Sequence, residues 1–447
     1  MGTIGLAAPV LPTRDELRRA KEAMHPAHVR GMDCHVLDAR YEPGSRCTVL
    51  YRVDDRLLVA TVRFDETTRD TLAHDDLGVT PWTDSLGMEV RSLPFDPSLP
   101  GLADALRPEI MTRALTDAMS ASSMGATRVV RCRATVERYR PSRSCTLRLD
   151  VWAKDAATGA PGRRRLFGKV YPTVAKASAV YATMSEIAGH TDAGSGRLRV
   201  ARPVALVPSL QMVVQEPLPG TSLDLFLRRR AFARSPAHTA APIRSAARAL
   251  AELHALDLMH PRQRRVEPEL DRLVARLAAA AAIDNELDAE IRQLVERLRS
   301  GLLDLGLGEH PGRMVHADCK PSQYLVHAEG VGLLDFDHAG MADPALDVGT
   351  FMASLRQLGC RRAIERKRPL TGGEAAWVRE HESAFLQEYI GATGEAGGFL
   401  ARAAWYEAFA LLRKARRAMC RSLRSALPRL LVDEAMECLD RRRTAAS

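Results

Sequence analysis

The chain turns from strand-rich to helix-rich at about Leu223, and that change points to a two-part architecture. Ahead of it, apolar residues alternate in "CHVLDARYE", "CTVLYRVD" and "LLVATVRFD". They alternate again in "RVVRCRATVERY", "CTLRLDVWA" and "RRRLFGKVY", beyond the connector "SLPFDPSLPG" (Ser92–Gly101). Period-two runs bounded by "PGSR", "DDR" and "RPSRS" predict antiparallel hairpins. Helices are expected at "PEIMTRALTDAMSA" and at "TVAKASAVYATMSEIAG", the second opening on a Thr173 cap. The strands "RVARPVALV" and "LQMVVQEPL" close this half. From "APIRSAARALAELHAL" onward the apolar spacing is three and four. It stays so to Arg443, apart from one β-loop insert around Val315–Gly340. Strands followed by helices predict an α+β chain in two lobes.

Apolar residues make up 46% of the chain, enough for a large core. The net charge of +9 is spread among interleaved Arg, Asp and Glu, as in "VERLRSGLLD". That reads as a solvated surface and not as a nucleic-acid stripe. None of the 8 Cys forms a C-x-x-C pair, which argues against a structural zinc or a disulfide framework and for a reducing compartment. The longest apolar run, "LAAAAAI", is too short to span a bilayer, and "MGTIGLAAPVLPTRDELRR" does not read as a signal peptide. The expectation is a cytoplasmic protein with no membrane or nucleic-acid partner.

Two windows repeat. "RYEPGSRCTV" (Arg40–Val49) and "RYRPSRSCTL" (Arg138–Leu147) share Arg, Tyr, Pro, Cys and Thr, and Cys34 matches Cys132. A degenerate duplication is the expected cause. Aligning "LLVATVR" with "RLFGKVY" then puts Thr61 opposite Lys169.

The chemistry concentrates in "VHADCKPSQYLV" (Val315–Val326). Asp318 lies two residues after His316 and Gln323 five after Asp318. This is the spacing of the protein-kinase catalytic loop H-R-D-x-x-x-x-N. Seventeen residues past Asp318 comes Asp335, in "GLLDFDHAG". A loop followed by a short hairpin brings Asp318, Gln323 and Asp335 towards one metal–phosphate centre. An amide and a carboxylate offer hard oxygens suited to Mg²⁺, and Asp318 would orient an acceptor hydroxyl and take its proton. Cys319 lacks a base in register and is expected as a small buried residue, as His254 is in the core. The basic run "CRRAIERKRPL" (Cys360–Leu370) is expected to be a solvated loop.

With "GMADPALDVGTF" following in order, residues from about 130 to 420 resemble the aminoglycoside phosphotransferase and choline-kinase branch of the protein-kinase-like superfamily. The resemblance implies a bilobal protein-kinase-like fold. It divides the chain into an N-terminal segment (1–125), a kinase-like N-lobe (126–215) and a helical C-lobe (216–447). It implies ATP and Mg²⁺ as cofactors and a small-molecule hydroxyl as acceptor. Asp347 would brace the catalytic loop through backbone N–H groups, and His316 would orient that loop. Lys320 matches a Lys that touches the transferred phosphate in protein kinases. Lys169 would hold the α/β-phosphates, paired with Glu186 on the next helix. Arg140 and Arg143 would stand in for a glycine-rich phosphate loop, and the backbone at Gln215 and Glu216 would meet adenine.

Gln323 departs from the Asn of the pattern, as in maltokinase-like relatives, and tilts the expected acceptor towards a sugar or polyol. Asp337 replaces the Gly of D-F-G and suggests a second carboxylate near the metal. Both departures leave a rival open, a pseudokinase scaffold that transfers no phosphate. No acidic cluster marks a site for an aminoglycoside.

Overall fold

The computed structural model describes residues 12–24, 34–54, 56–64, 86–120, 127–155, 158–193, 198–230, 237–281, 285–308, 310, 312–327, 330–367, 372–395, 398–423 and 425–446. Helix α1 (Arg14–Ala23) opens on a capping box, with Thr13 and Glu16 each accepting from the other's backbone N–H. Strands β1 (Cys34–Glu42), β2 (Arg46–Val53), β3 (Arg56–Arg63) and β4 (Met88–Ser92) form an antiparallel sheet in chain order. The alternation seen in "RLLVATVR" buries Leu58, Ala60 and Val62 against a core that α1 completes with Ala20 and Ala23.

Helices α2 (Leu102–Ala105) and α3 (Pro108–Ser120) follow. Met111, Leu115 and Met119 recur every four residues on α3, so one face of the helix is buried, against the second sheet. That sheet contains β5 (Thr127–Arg140), β6 (Ser144–Asp155) and β7 (Pro161–Val170). Beyond α4 (Val174–Ala193) and the short β8 (Arg199–Val200), it is completed by β9 (Pro203–Val207) and β10 (Met212–Gln215). Its order is β5-β6-β7-β10-β9. Thr173 caps α4, accepting from Lys176 N at 3.1 Å.

The two sheets repeat a hairpin in detail. Arg40 pairs with Thr48 and Tyr41 with Cys47, as Arg138 pairs with Thr146 and Tyr139 with Cys145. In the next strand Thr48 faces Thr61, and Thr146 faces Lys169. Gly44 and Ser142, equivalent in the turns, both have left-handed backbone, with φ of 72° and 58°. A buried carboxylate locks each turn. Glu16 accepts from Tyr41 Oη and Gly44 N, both at 2.7 Å, and Asp96 accepts from Tyr139 Oη and Ser142 N, both at 2.8 Å. Neither carboxylate lies within the repeated windows.

The helical lobe contains β11 (Thr221–Ser222), α5 (Leu223–Arg230), α6 (Ala237–Ala255), α7 (Val266–Ala281) and α8 (Asn285–Asp304). Four short strands come next: β12 (Arg313–Val315), β13 (Tyr324–His327), β14 (Gly330–Leu333) and β15 (Gly340–Ala342). The chain finishes with α9 (Ala345–Glu365), α10 (Gly372–Thr393), α11 (Phe399–Arg421) and α12 (Leu427–Ala446). The basic run at Cys360 is therefore helical as far as Glu365, because it continues the apolar face of α9: Cys360 is buried. At Gly349 the backbones of α9 and α11 approach so closely that a Cβ would lie 2.6 Å from Ala403 O. Glycine sets that helix crossing. Among the described residues no helix is long and apolar enough to cross a membrane.

Candidate active site

The segment after β12 is held from below. Asp347, fully buried in the first turn of α9, accepts from His316 N at 2.6 Å and Ala317 N at 2.7 Å. A carboxylate without water needs such donors, and buried N–H groups need such an acceptor. His254 Nε2 lies 3.1 Å from the same carboxylate, and its Nδ1 lies 2.7 Å from Tyr389 Oη. The expected core histidine thus supports the loop through Asp347. Ala317 adopts φ of 60°, a left-handed conformation uncommon for a residue with a Cβ, and Asp347 holds it there. The partners of His316 fix its tautomer. Nε2 faces the Leu334 carbonyl at 2.8 Å, which can only accept, and Nδ1 receives the Asp318 amide at 3.2 Å. Cys319 is buried against Tyr324 Oη at 3.1 Å, and burial pushes its thiol well above the usual range. It has no nucleophile's setting.

The 3-10 turn Pro321–Gln323 then aims Gln323 inward. Its Nε2 lies 3.2 Å from Asp318 Oδ2 and 3.0 Å from Asp335 Oδ2, so one amide bridges the two carboxylates. Lys320 also closes on Asp318 Oδ2. Burial works to raise the Asp318 pKa, but the Lys320 ammonium overrides it and brings the group down to about 2. Asp335 leaves β14 with φ of 72°, which turns its carboxylate from the sheet into the cleft. Burial would raise its pKa too, but Lys169 holds it well below the carboxylate range.

Lys169 comes from the other lobe. Its Nζ lies 2.7 Å from both Asp335 Oδ1 and Asp337 Oδ2. The expected partner, Glu186, does not fill this role. It is exposed on α4, and the nearby Thr183 shows that this part of the helix faces His260, at 2.9 Å. Nor does Asp337 join Asp318 and Gln323. It accepts from Lys169 and from Tyr171 Oη at 2.8 Å, while its carbonyl takes Lys176 Nζ at 2.5 Å and Arg262 Nη1 at 3.0 Å. The residue replacing glycine is a clamp on the lysine, so the second carboxylate sits on the Lys169 side of Asp335.

Arg138, Arg140, Ser144, Thr146, Lys169 and Asp335 line one cleft. Arg140 is thus beside Lys169 as expected. Arg138 and the two hydroxyl residues were not anticipated, although strand alternation places Arg138 on the face of Arg140 and the register sets Thr146 beside Lys169. Arg143 lies outside this lining, where burial and then the charges of Arg40 and Arg140 lower its pKa. At the lobe junction, Gln215 is paired within the sheet to Phe167 and Pro203. The Glu216 N–H donates to Arg202 O at 2.9 Å, so that amide is already spent and is not offered to a base.

Two lobes around a carboxylate–amide–carboxylate centre, with a strand lysine reaching it from above, define a kinase-like phosphotransferase. Residues 153–381 match the model of the phosphotransferase enzyme family, and the chain belongs to that family. Its fold is accordingly the bilobal protein-kinase-like one, preceded by the additional N-terminal sheet. The chain is similar to the GDP complex of wild-type aminoglycoside 2'-phosphotransferase-IIIa, at 14% identity and a TM-score of 0.43, over 76% of this chain and 99% of that one. It is similar also to a choline/ethanolamine kinase family protein from Mesorhizobium loti, at 15% identity and 0.44, over 75% and 98%. A third likeness is an aminoglycoside phosphotransferase in its ADP-bound form, at 11% identity and 0.40, over 70% and 93%. No curated protein matches the sequence.

Proposed function

We propose that the protein transfers the γ-phosphoryl group of ATP, with Mg²⁺, to a hydroxyl of a small molecule. The observation that carries this reading is the Gln323 amide between Asp318 and Asp335, with Lys169 on the far oxygen of Asp335. Asp318, ionised at neutral pH, accepts the acceptor's proton and aligns its oxygen. Lys320, against Asp318, would meet the phosphoryl group in flight. Lys169, Arg138 and Arg140 hold the nucleotide's phosphates, where Arg supplies paired N–H donors. Positioning and charge neutralisation of this kind supply most of the catalysis in phosphoryl transfer.

The residues suit magnesium. Among the described residues no three His, Cys, Asp or Glu side chains form a metal cluster, whereas one carboxylate, one amide and phosphate oxygens are a fitting set for Mg²⁺. Asp335 and Gln323 would hold it, Gln323 by presenting its amide oxygen, and the ion would supply charge neutralisation on the phosphates.

A second reading draws on Asp337. By clamping Lys169 together with Tyr171, it competes with phosphate for that lysine, as a scaffold with weakened nucleotide binding would. Thermal shift with ATP, with and without Mg²⁺, followed by turnover across sugars, polyols, amino alcohols and aminoglycosides, separates the two. Mg²⁺-dependent turnover that disappears in Asp318→Ala supports the enzyme. A folded protein with neither turnover nor Mg²⁺-dependent stabilisation supports the scaffold.

The repeated hairpin and its repeated carboxylate lock support reading the N-terminal sheet as a degenerate copy of the N-lobe. With Thr61 in the place of Lys169, it cannot clamp a nucleotide.

A further inference from the structure

The helical wall beside Asp318 carries cations that phosphoryl transfer does not use. On α11, Lys414 and Arg417 stand one turn apart. Lys414 is 8% exposed, and its Nζ meets two neutral oxygens on α9, Ser354 Oγ at 2.9 Å and Gln357 Oε1 at 3.2 Å. No carboxylate pairs with it among the described residues. Arg417, exposed to solvent, makes no ion pair among them. Of the acids, it feels Asp318, which Lys320 already holds, and its other near charges, Arg413, Arg421 and Arg143, are cations. A further cation, Arg361 on α9, adds its repulsion to the charge on Lys414. By contrast, Arg421 at the end of the helix is matched by Asp38 at 3.3 Å.

A buried ammonium without a counter-charge is costly, and cations set against one another add repulsion. Burial, then Arg417 and Lys320, push the Lys414 pKa down to about 7. A polycationic acceptor would meet only further repulsion here, and a neutral one would leave the buried Lys414 without a counter-charge, while the exposed Arg417 stays solvated and open to a ligand. An anion would supply the missing charge, and Arg receives carboxylate or phosphate through paired N–H donors. We propose that the acceptor carries an anionic group, carboxylate or phosphate, received by Arg417 and Lys414 so that its hydroxyl lies at Asp318. This rests on the phosphotransferase reading above and names the acceptor class within it.

The test uses the full chain saturated with Mg²⁺ and a non-hydrolysable ATP analogue, titrated calorimetrically with inorganic phosphate. The same protein with ATP is then assayed on matched acceptors: glucose, glucosamine, gluconate and glucose 6-phosphate. Phosphate should bind the loaded wild type about 10-fold more tightly than Arg417→Ala or Lys414→Met, with nucleotide affinity unchanged. Gluconate or glucose 6-phosphate should be used in preference to glucose and glucosamine. Which of the two is favoured distinguishes carboxylate from phosphate. Absent phosphate binding, equal binding in the variants, or preference for the neutral or cationic sugar overturns the assignment. So does an Arg417→Ala defect confined to nucleotide binding. Phosphate bound at Arg417 with no transfer to any acceptor leaves the anion site standing and removes the phosphotransferase reading instead.

Discussion

Lys169 Nζ and Asp335 Oδ1 meet at 2.7 Å across 166 positions of sequence, joining the sheet of one lobe to the turn after β14 in the other. On the proposed reading the two would part during turnover, Lys169 to phosphate and Asp335 to the metal. Lys169→Met leaves Asp335 and Asp337 without their shared cation. Stability should fall by about 1–3 kcal/mol, allowing for partial exposure of the pair. ATP-dependent turnover should fall by about 10²-fold or more. Urea denaturation and steady-state kinetics check the two effects separately.

Asp347 carries a different load, two buried backbone N–H groups and a left-handed Ala317. Asp347→Ala should cost on the order of 2–4 kcal/mol, since the orphaned N–H groups and His254 lose their acceptor. Measured on the folded fraction, kcat should fall more than nucleotide affinity, because the loop that carries Asp318 loosens while the nucleotide cleft keeps its lining. Equal losses in both would remove the bracing role.

The pH dependence of stability should carry the mark of Lys414, which faces Arg417, Lys320, Asp318 and Arg361. Its folded pKa, about 7, lies below the ordinary lysine value of 10.5 kept by the unfolded chain, so the unfolded chain holds more protons between those values. Stability contributed by this site therefore rises as pH climbs from about 7 towards about 10, and the penalty is complete below pH 7. Lys414→Met should flatten that slope, read by urea denaturation at several pH values. An unchanged slope would show that the lysine is not desolvated as described.

Arg356 is the hub of the C-terminal helices. It pairs with Glu382 at 2.8 Å and also with Glu407 and Glu434, joining α9 to α10, α11 and α12. Arg356→Met leaves three carboxylates around an apolar side chain and should destabilise by about 3–5 kcal/mol. A loss below 1 kcal/mol in chemical denaturation would show that the carboxylates relax by protonation or by finding water.

Local spacing made part of the site legible. Asp318, Gln323, Asp335 and Asp347 lie within 30 residues on short connected elements, so their order in sequence already limits where they meet. The partner of Lys169 was not legible, because ion pairs between lobes follow from packing, and helix α4 turned Glu186 to solvent. Nor was the role of Asp337, for which spacing allowed either face of Asp335. Arg138 was available from period-two alternation alone. The cations of α11 were hidden differently: Lys414 and Arg417 lie nearly a hundred residues from Asp318, and composition showed only a net +9 dispersed along the chain. The carboxylate locks of the hairpins, Glu16 and Asp96, fall outside the repeated windows, so sequence repetition could not reveal them.

The central claim is that Asp318, Gln323 and Asp335 surround a metal–phosphate centre. Mn²⁺, standing in for Mg²⁺, reports on it directly through electron paramagnetic resonance titration with and without ATP. The account predicts Mn²⁺ binding that requires ATP and weakens at least about 10-fold in Asp335→Asn. Mn²⁺ binding that is indifferent to ATP, or equal in the wild type and Asp335→Asn, would contradict it.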